Sequence, residues 1–113
     1  PMRIKKFDIW LADLNPRMGT EPGKIRPVVI VQTDLLNGDH PSTIICPITS
    51  KILPEAEILR IHLPKATIKE PCDIIVDQIR AIDNKRFIKK VGGLSLSQSL
   101  KLTRSIKIVL DLE

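Results

Sequence analysis

Aromatic side chains are nearly missing from this 113-residue chain: Phe7, Trp10 and Phe87 are the only three, and there is no tyrosine. A binding surface that works mainly by stacking rings on bases or sugars is therefore not expected. Long apolar runs are missing too. No stretch approaches the roughly 18 residues a membrane-spanning helix needs, and the N-terminus has no signal-like apolar stretch, so the expected location is cytoplasmic. Cysteine is scarce, and Cys46 and Cys72 lack metal-ligand spacing; they read as small buried side chains rather than a disulfide. His40 and His62, the only histidines, have no second histidine or cysteine at ligand spacing, so no metal and no other cofactor is expected. Phosphate loops, nucleophile elbows and dinucleotide fingerprints are likewise absent, which argues against ATP hydrolysis and serine-hydrolase chemistry.

What is present fits one globular domain over residues 2–113, with Pro1, ahead of Met2, read as an addition to the natural chain. Apolar residues make up 42% and charged residues 27%, enough for a core under a well-solvated surface. The net charge of +5 is unevenly spread. Residues 1–77 hold ten Lys/Arg and ten Asp/Glu, whereas residues 78–113 hold eight and three. The densest part, Lys85-Arg86-Phe87-Ile88-Lys89-Lys90, suits a polyanion such as nucleic acid, or equally a face that keeps a small protein dissolved.

Periodicity predicts a mainly β fold of short strands, arranged as a small barrel with a C-terminal helix. Residues 7–14 alternate, with Phe7, Ile9 and Leu11 on one face. Pro27–Gln32 and Thr43–Ile48 are β-branched runs suited to strands buried on both sides. Residues 57–63 alternate again, Asp73–Ile82 is the longest strand candidate, and Ile88–Val91 is the last. Ser95-Leu96-Ser97-Gln98 matches a capping box. The helix it opens is expected to bury Leu96, Leu100, Thr103, Ile106, Val109 and Leu110, although Ile106–Leu112 also alternates as a strand would. Two connections, Asn15–Arg26 and Thr33–Ser42, exceed what tight turns require; the second has room for one helical turn.

Residues with chemical potential gather at strand ends. Arg26 precedes Pro27, which forces it into an extended conformation and aims its guanidinium, a flat fork suited to phosphate oxygens. Thr49 and Ser50 bring two hydroxyls to the exit of the third strand, either as phosphate contacts or as an ordinary turn. Asp77 and Gln78 interrupt an apolar segment and need partners there: an arginine and a backbone group if structural, a proton or a base edge if functional.

The succession Ile9-Trp10-Leu11-Ala12-Asp13-Leu14-Asn15-Pro16, Gly19-Thr20-Glu21, Arg26-Pro27-Val28-Val29-Ile30-Val31, Pro47-Ile48-Thr49-Ser50, Asp77-Gln78-Ile79-Arg80 and Gly93-Leu94-Ser95 resembles the MazF/PemK toxins of bacterial toxin-antitoxin pairs. The resemblance runs from about Lys5 to Leu112. It implies an SH3-like barrel of about five to seven strands with a C-terminal helix, working as a homodimer. It further implies a metal-independent, sequence-specific endoribonuclease that cuts single-stranded RNA, leaves 2′,3′-cyclic phosphate and 5′-hydroxyl ends, and is neutralised by an antitoxin with an acidic segment.

In that family the positions of Arg26 and Thr49 form the usual catalytic pair. An aspartate at the position of Asp77 serves as base in some members, with a basic residue two places earlier as acid, a place held here by Ile75. That departure leaves Glu21, Asp77 and Arg26 all open for proton transfer. Asn15, Arg17, Thr20, Lys24, Ser50, Gln78 and Arg80 are the expected RNA contacts, through phosphates and base edges. A non-catalytic alternative on the same fold, the CcdB-like gyrase poisons, ends near a tryptophan; this chain ends Val109-Leu110-Asp111-Leu112-Glu113, and its single tryptophan is Trp10.

Overall fold

The computed structural model describes residues 3–16, 18–20, 23–56 and 58–113. Its elements run β1 (Asp8–Asp13), β2 (Ile25–Ile30), β3 (Ser42–Thr49), β4 (Arg60–Leu63), α1 (Lys65–Ile68), β5 (Cys72–Ile75), β6 (Arg80–Asp83), β7 (Phe87–Gly93) and α2 (Leu96–Val109). The strands form one antiparallel sheet in the order β4-β5-β3-β2-β1-β7, with β6 also paired to β3. The mainly β architecture with a C-terminal helix is as expected, but the sheet is not closed: β4 and β7 end the path without pairing to each other.

Both faces of this curved sheet are buried, because its central strands carry apolar residues at successive positions rather than alternating ones. Ile9, Val29, Cys46, Ile48, Ile61, Ile74 and Leu102 belong to one core, with Phe7 packed against it. Trp10, Ala12, Val28, Ile30, Ile45, Ile82 and Phe87 belong to the second. The expected stripe of Phe7, Ile9 and Leu11 is thus only half the account of β1, since Trp10 and Ala12 are buried on its other side. Trp10 meets Phe87 edge to face, with centroids 5.8 Å apart. All three aromatic rings are therefore engaged in packing. Gly92 permits the close docking of α1 on β7: a Cβ there would stand 3.3 Å from the Thr67 carbonyl oxygen.

The longest expected strand, Asp73–Ile82, is broken. Along β3, Ile48 and Ile45 are three positions apart, while their partners Ile74 and Arg80 are six positions apart. The surplus is taken up by a 3₁₀ turn at Val76–Gln78, a large bulge that lifts Asp77 out of the ladder and exposes it. Thr33–His40 contains the anticipated turn of helical type, with Asn37 N–H donating to the Thr33 carbonyl.

Helix α2 opens with the capping box: Ser95 Oγ accepts from Gln98 N–H, and Gln98 Oε1 from Ser95 N–H. Its buried face differs from the expected stripe. Ser99, Leu102 and Ser105 are buried, Ile106 and Val109 pack beside them, and Leu96, Leu100 and Leu110 are exposed. Two serines on the inner face let the helix lie close to the sheet. Their hydroxyls do not leave unmet polar groups: Ser99 Oγ donates to the Ser95 carbonyl, and no buried side-chain N or O among the described residues lacks a partner. The alternation of Ile106–Leu112 does not yield a strand, because the helix continues to Val109.

Candidate active site at the strand ends

Arg26 lies in β2, half-buried and opposite Ala12 of β1, as its position before proline requires. Its Nε donates to the Gly23 carbonyl at 2.9 Å, which orients the guanidinium from behind. Thr49 ends β3. The β2–β3 ladder ends at Val28↔Pro47, and Arg26 and Thr49 each lie two residues beyond that last pair. On its other side Thr49 is paired with Asp73 of β5, and Asp73 with His62 of β4. Residues directly opposite one another in a sheet share a face, so Thr49, Asp73 and His62 form one row across β3, β5 and β4, while Arg26 lies on β2 two residues beyond the last β2–β3 pair. Thr49 Oγ1 also accepts from Lys51 N–H at 3.1 Å, the ordinary turn contact. A hydroxyl so held still has its proton to donate.

Other candidates separate into groups. Asn15 and Lys24 meet: Asn15 Oδ1 accepts from Lys24 N–H at 2.8 Å, and Leu14 N–H donates to the Lys24 carbonyl. This closes the neck of the loop that carries Thr20, an exposed residue. Arg17 and Glu21 lie outside the described residues. Arg86 Nη1 donates to the carbonyls of Asp13 and Asn15 and so ties the same neck to β7. Ser50 is exposed beside Thr49. Asp77 and Gln78 sit on the 3₁₀ turn, and Arg80 begins β6 opposite Ile45, half-buried.

The densest basic segment proves to be partly structural. Lys90 pairs with the buried Asp8 at 3.2 Å, and Arg86 is engaged with the loop neck, leaving Lys85 and Lys89 as exposed cations of that run. Neither cysteine is poised for nucleophilic work. Burial, with the Asp77 charge adding to it, pushes the Cys46 thiol up to about 12; burial, then Asp73 and Glu70, push Cys72 up to about 11.

Sequence reasoning passed over one constellation. Asp73 is completely buried: its Oδ2 accepts from Leu53 N–H at 3.0 Å and from Arg60 Nη1 at 3.3 Å, and its Oδ1 lies 2.5 Å from His62 Nδ1. Arg60 also donates to the Lys51 carbonyl. The available signal was the pair Arg60 and His62 two residues apart on the polar side of a strand, with an aspartate opening the next apolar run. Among the described residues, no group of three or more His, Cys, Asp or Glu stands ready to hold a metal, and no helix is long and apolar enough to cross a membrane.

Comparison with known proteins is consistent across sequence and structure. The family model for the PemK-like, MazF-like toxin of type II toxin-antitoxin systems matches residues 5–110. An endoribonuclease MazF from Staphylococcus epidermidis is 36% identical over 111 residues, spanning 96% of this chain and 92% of that protein. The fold is similar to that of MazF from Deinococcus radiodurans, with a TM-score of 0.86 at 18% identity over 99% of this chain and 100% of that one. It is also similar to a MazE-MazF structure from the same organism, with a TM-score of 0.79 at 17% identity over 97% of each chain.

Proposed function

The chain belongs to the PemK-like, MazF-like toxins of type II toxin-antitoxin systems, and we propose that it cleaves single-stranded RNA by attack of a ribose 2′-hydroxyl on the adjacent phosphorus. The place of Arg26 and Thr49 on neighbouring strands, each two residues past the last β2–β3 pair, supports this reading. In-line attack builds negative charge on the phosphoryl oxygens, and a fixed guanidinium beside a hydroxyl donor meets that charge without reorganising. Arg26 stabilises the oxygens, while Thr49 and Ser50 hold the phosphate in register. The nucleophile belongs to the substrate, so no metal-activated water is needed, and the products are a 2′,3′-cyclic phosphate and a 5′-hydroxyl.

The same reading covers partners and place. It takes the chain as one toxin domain that works in the cytoplasm and is restrained by a cognate antitoxin whose acidic segment competes with RNA for a basic surface. A homodimer is supported by the apolar side chains around one cleft, where Ile58 and Ile108 are 56% and 51% exposed. The loop closed by Asn15 and Lys24, with Arg17, Thr20, Gln78 and Arg80, supplies base and phosphate contacts. Glu21 and Asp77 remain candidate bases for the 2′-hydroxyl proton.

The test is incubation of the wild type and Arg26→Ala with a long single-stranded RNA in EDTA, followed by mapping of the ends. Site-specific cuts by the wild type, reduced about 10²–10³-fold or more in Arg26→Ala, are expected, on the scale of removing one preorganised donor. Equal cleavage by both proteins overturns the assignment of Arg26.

A further inference from the structure

The loop that carries Thr20 and runs into β2 just ahead of Arg26 is held at its neck by a chain of contacts that the mechanism above does not use. Lys24 there has φ at 67°, in the left-handed region that favours glycine, so its surroundings must hold it in place. Both of its backbone groups are engaged. Its N–H donates to Asn15 Oδ1 at 2.8 Å, and its carbonyl accepts from Leu14 N–H at 2.9 Å. The residue before it, Gly23, is buried, and the Gly23 carbonyl accepts from Arg26 Nε at 2.9 Å. The neck therefore fixes the group against which the Arg26 guanidinium is oriented.

Arg86 closes this chain from the far side of β1. Ala12 is paired with Arg26 of β2 on one side and with Phe87 of β7 on the other, which brings the residue before Phe87 beside the end of β1. From there Arg86 Nη1 donates to the Asp13 carbonyl at 2.9 Å and also to the Asn15 carbonyl. One charged donor thus clamps the backbone on both sides of Leu14, whose own N–H holds Lys24. The mount of Arg86 is rigid. It ends the 3₁₀ turn Asn84–Arg86, in which Asn84 Oδ1 accepts from the hydroxyl of the buried Thr43 at 2.6 Å. Asn84 also donates to the second long connection, through Nδ2 to the His40 carbonyl at 2.8 Å and through its N–H to the Pro41 carbonyl at 3.0 Å. The turn is a strut between the two loops.

We propose that Arg86 is a positioning residue for RNA cleavage, acting through the neck of the loop on the orientation of Arg26; this rests on the ribonuclease reading of Arg26 and Thr49. Arg86 holds Asp13 and Asn15, Asn15 and Leu14 hold Lys24 in its left-handed turn, and the Gly23 carbonyl ahead of Lys24 holds Arg26. Without Arg86 the neck loosens and Arg26 samples orientations that do not meet the phosphoryl oxygens. Bound RNA then reacts more slowly, because charge stabilisation depends on a donor fixed before attack.

The test measures kcat and KM on a short RNA containing the wild-type cleavage site, with each rate divided by the folded fraction from circular dichroism. Arg86→Met keeps the apolar stem and removes the donors, and kcat per folded molecule is expected to fall about 10–10²-fold. The salt dependence of RNA binding should keep its wild-type slope, whereas loss of a direct phosphate contact lowers that slope by about one. Asn15→Ala leaves Arg86 intact and removes the acceptor that holds Lys24. It should lower kcat as well, whatever it does to KM, and it decides the matter if Arg86→Met does not fold. A loss confined to KM, a salt slope lowered by about one, or an unchanged kcat in either variant overturns the role of Arg86 alone. A wild type that leaves RNA intact overturns the ribonuclease reading, and this assignment with it.

Discussion

Two buried aspartates in this small protein are built alike and differ in one partner. Asp8 accepts from a backbone N–H, that of Lys5, and from the Trp10 indole N–H, and it pairs with Lys90. Asp73 accepts from the Leu53 backbone N–H, pairs with Arg60 and holds the His62 ring nitrogen. In each case a backbone donor, a cation and a ring nitrogen satisfy a carboxylate removed from water. Trp10 is part of the second core and carries no exchangeable charge, so Asp8 only fastens the entry to β1. His62 is 44% exposed and lines a cleft with Arg60, Lys101 and Arg104. The same device fastens a ring inside the core in one place and at the rim of an open cleft in the other.

The sharpest way to break this comparison is truncation of both acids. Asp73→Ala leaves Arg60, only 14% exposed, without its counter-ion and frees the 51–53 segment, and it should cost about 3–5 kcal/mol in urea unfolding. Asp8→Ala should cost about 1–3 kcal/mol, because Lys90 is 54% exposed and turns to water, so that mainly the Lys5 and Trp10 hydrogen bonds are lost. Equal losses would show that the two clusters are not distinguished by the exposure of their cations.

A smaller effect concerns the thiols. Both have folded-state values raised above those of the unfolded chain, Cys46 to about 12 and Cys72 to about 11, so the folded protein retains protons the unfolded chain has released. Stability is unaffected by them below about pH 8.5 and falls as pH rises from there toward 11–12. A Cys46→Ser, Cys72→Ser protein should lose that part of the alkaline slope, and neither thiol should react with a disulfide reagent at pH 8 before unfolding. The smallest effect is expected outside both clusters. Replacing the exposed Lys85 and Lys89 by glutamine should reduce the salt dependence of RNA binding slightly and leave the cleavage rate of bound RNA unchanged.

The places of Arg26 in β2 and of Thr49 at the end of β3 could be read from the chain because proline geometry and strand-exit chemistry are local properties. The capping box at Ser95 was legible for the same reason. Asp73 was not, since what makes it matter is the company of His62 and Arg60 across a strand pair, and a lone aspartate opening an apolar run carries no mark of that. The break at Val76–Gln78 was hidden too: Asp73–Ile82 looks like one strand until β3 must be covered by two segments whose register differs by three residues. The face of α2 misled because leucines at 96, 100 and 110 outrank serines at 99 and 105 by hydropathy, whereas close packing on the sheet selects the small residues. The net charge of +5 pointed to the last third of the chain, yet Arg86 and Lys90 there are tied to the loop neck and to Asp8. Charge density located structural struts, and the residues proposed for the chemistry, Arg26 and Thr49, lie in the electrically balanced part.

The central claim is that Arg26 and Thr49 promote attack by the RNA's own 2′-hydroxyl. It is tested most directly by replacing the single ribose at the mapped cleavage site with a 2′-deoxyribose and incubating both substrates with the wild-type protein in EDTA. The all-ribose strand should be cut to a 2′,3′-cyclic phosphate and a 5′-hydroxyl, and the substituted strand should remain intact at that position. Cleavage of the deoxy-substituted strand at the same bond would contradict the account.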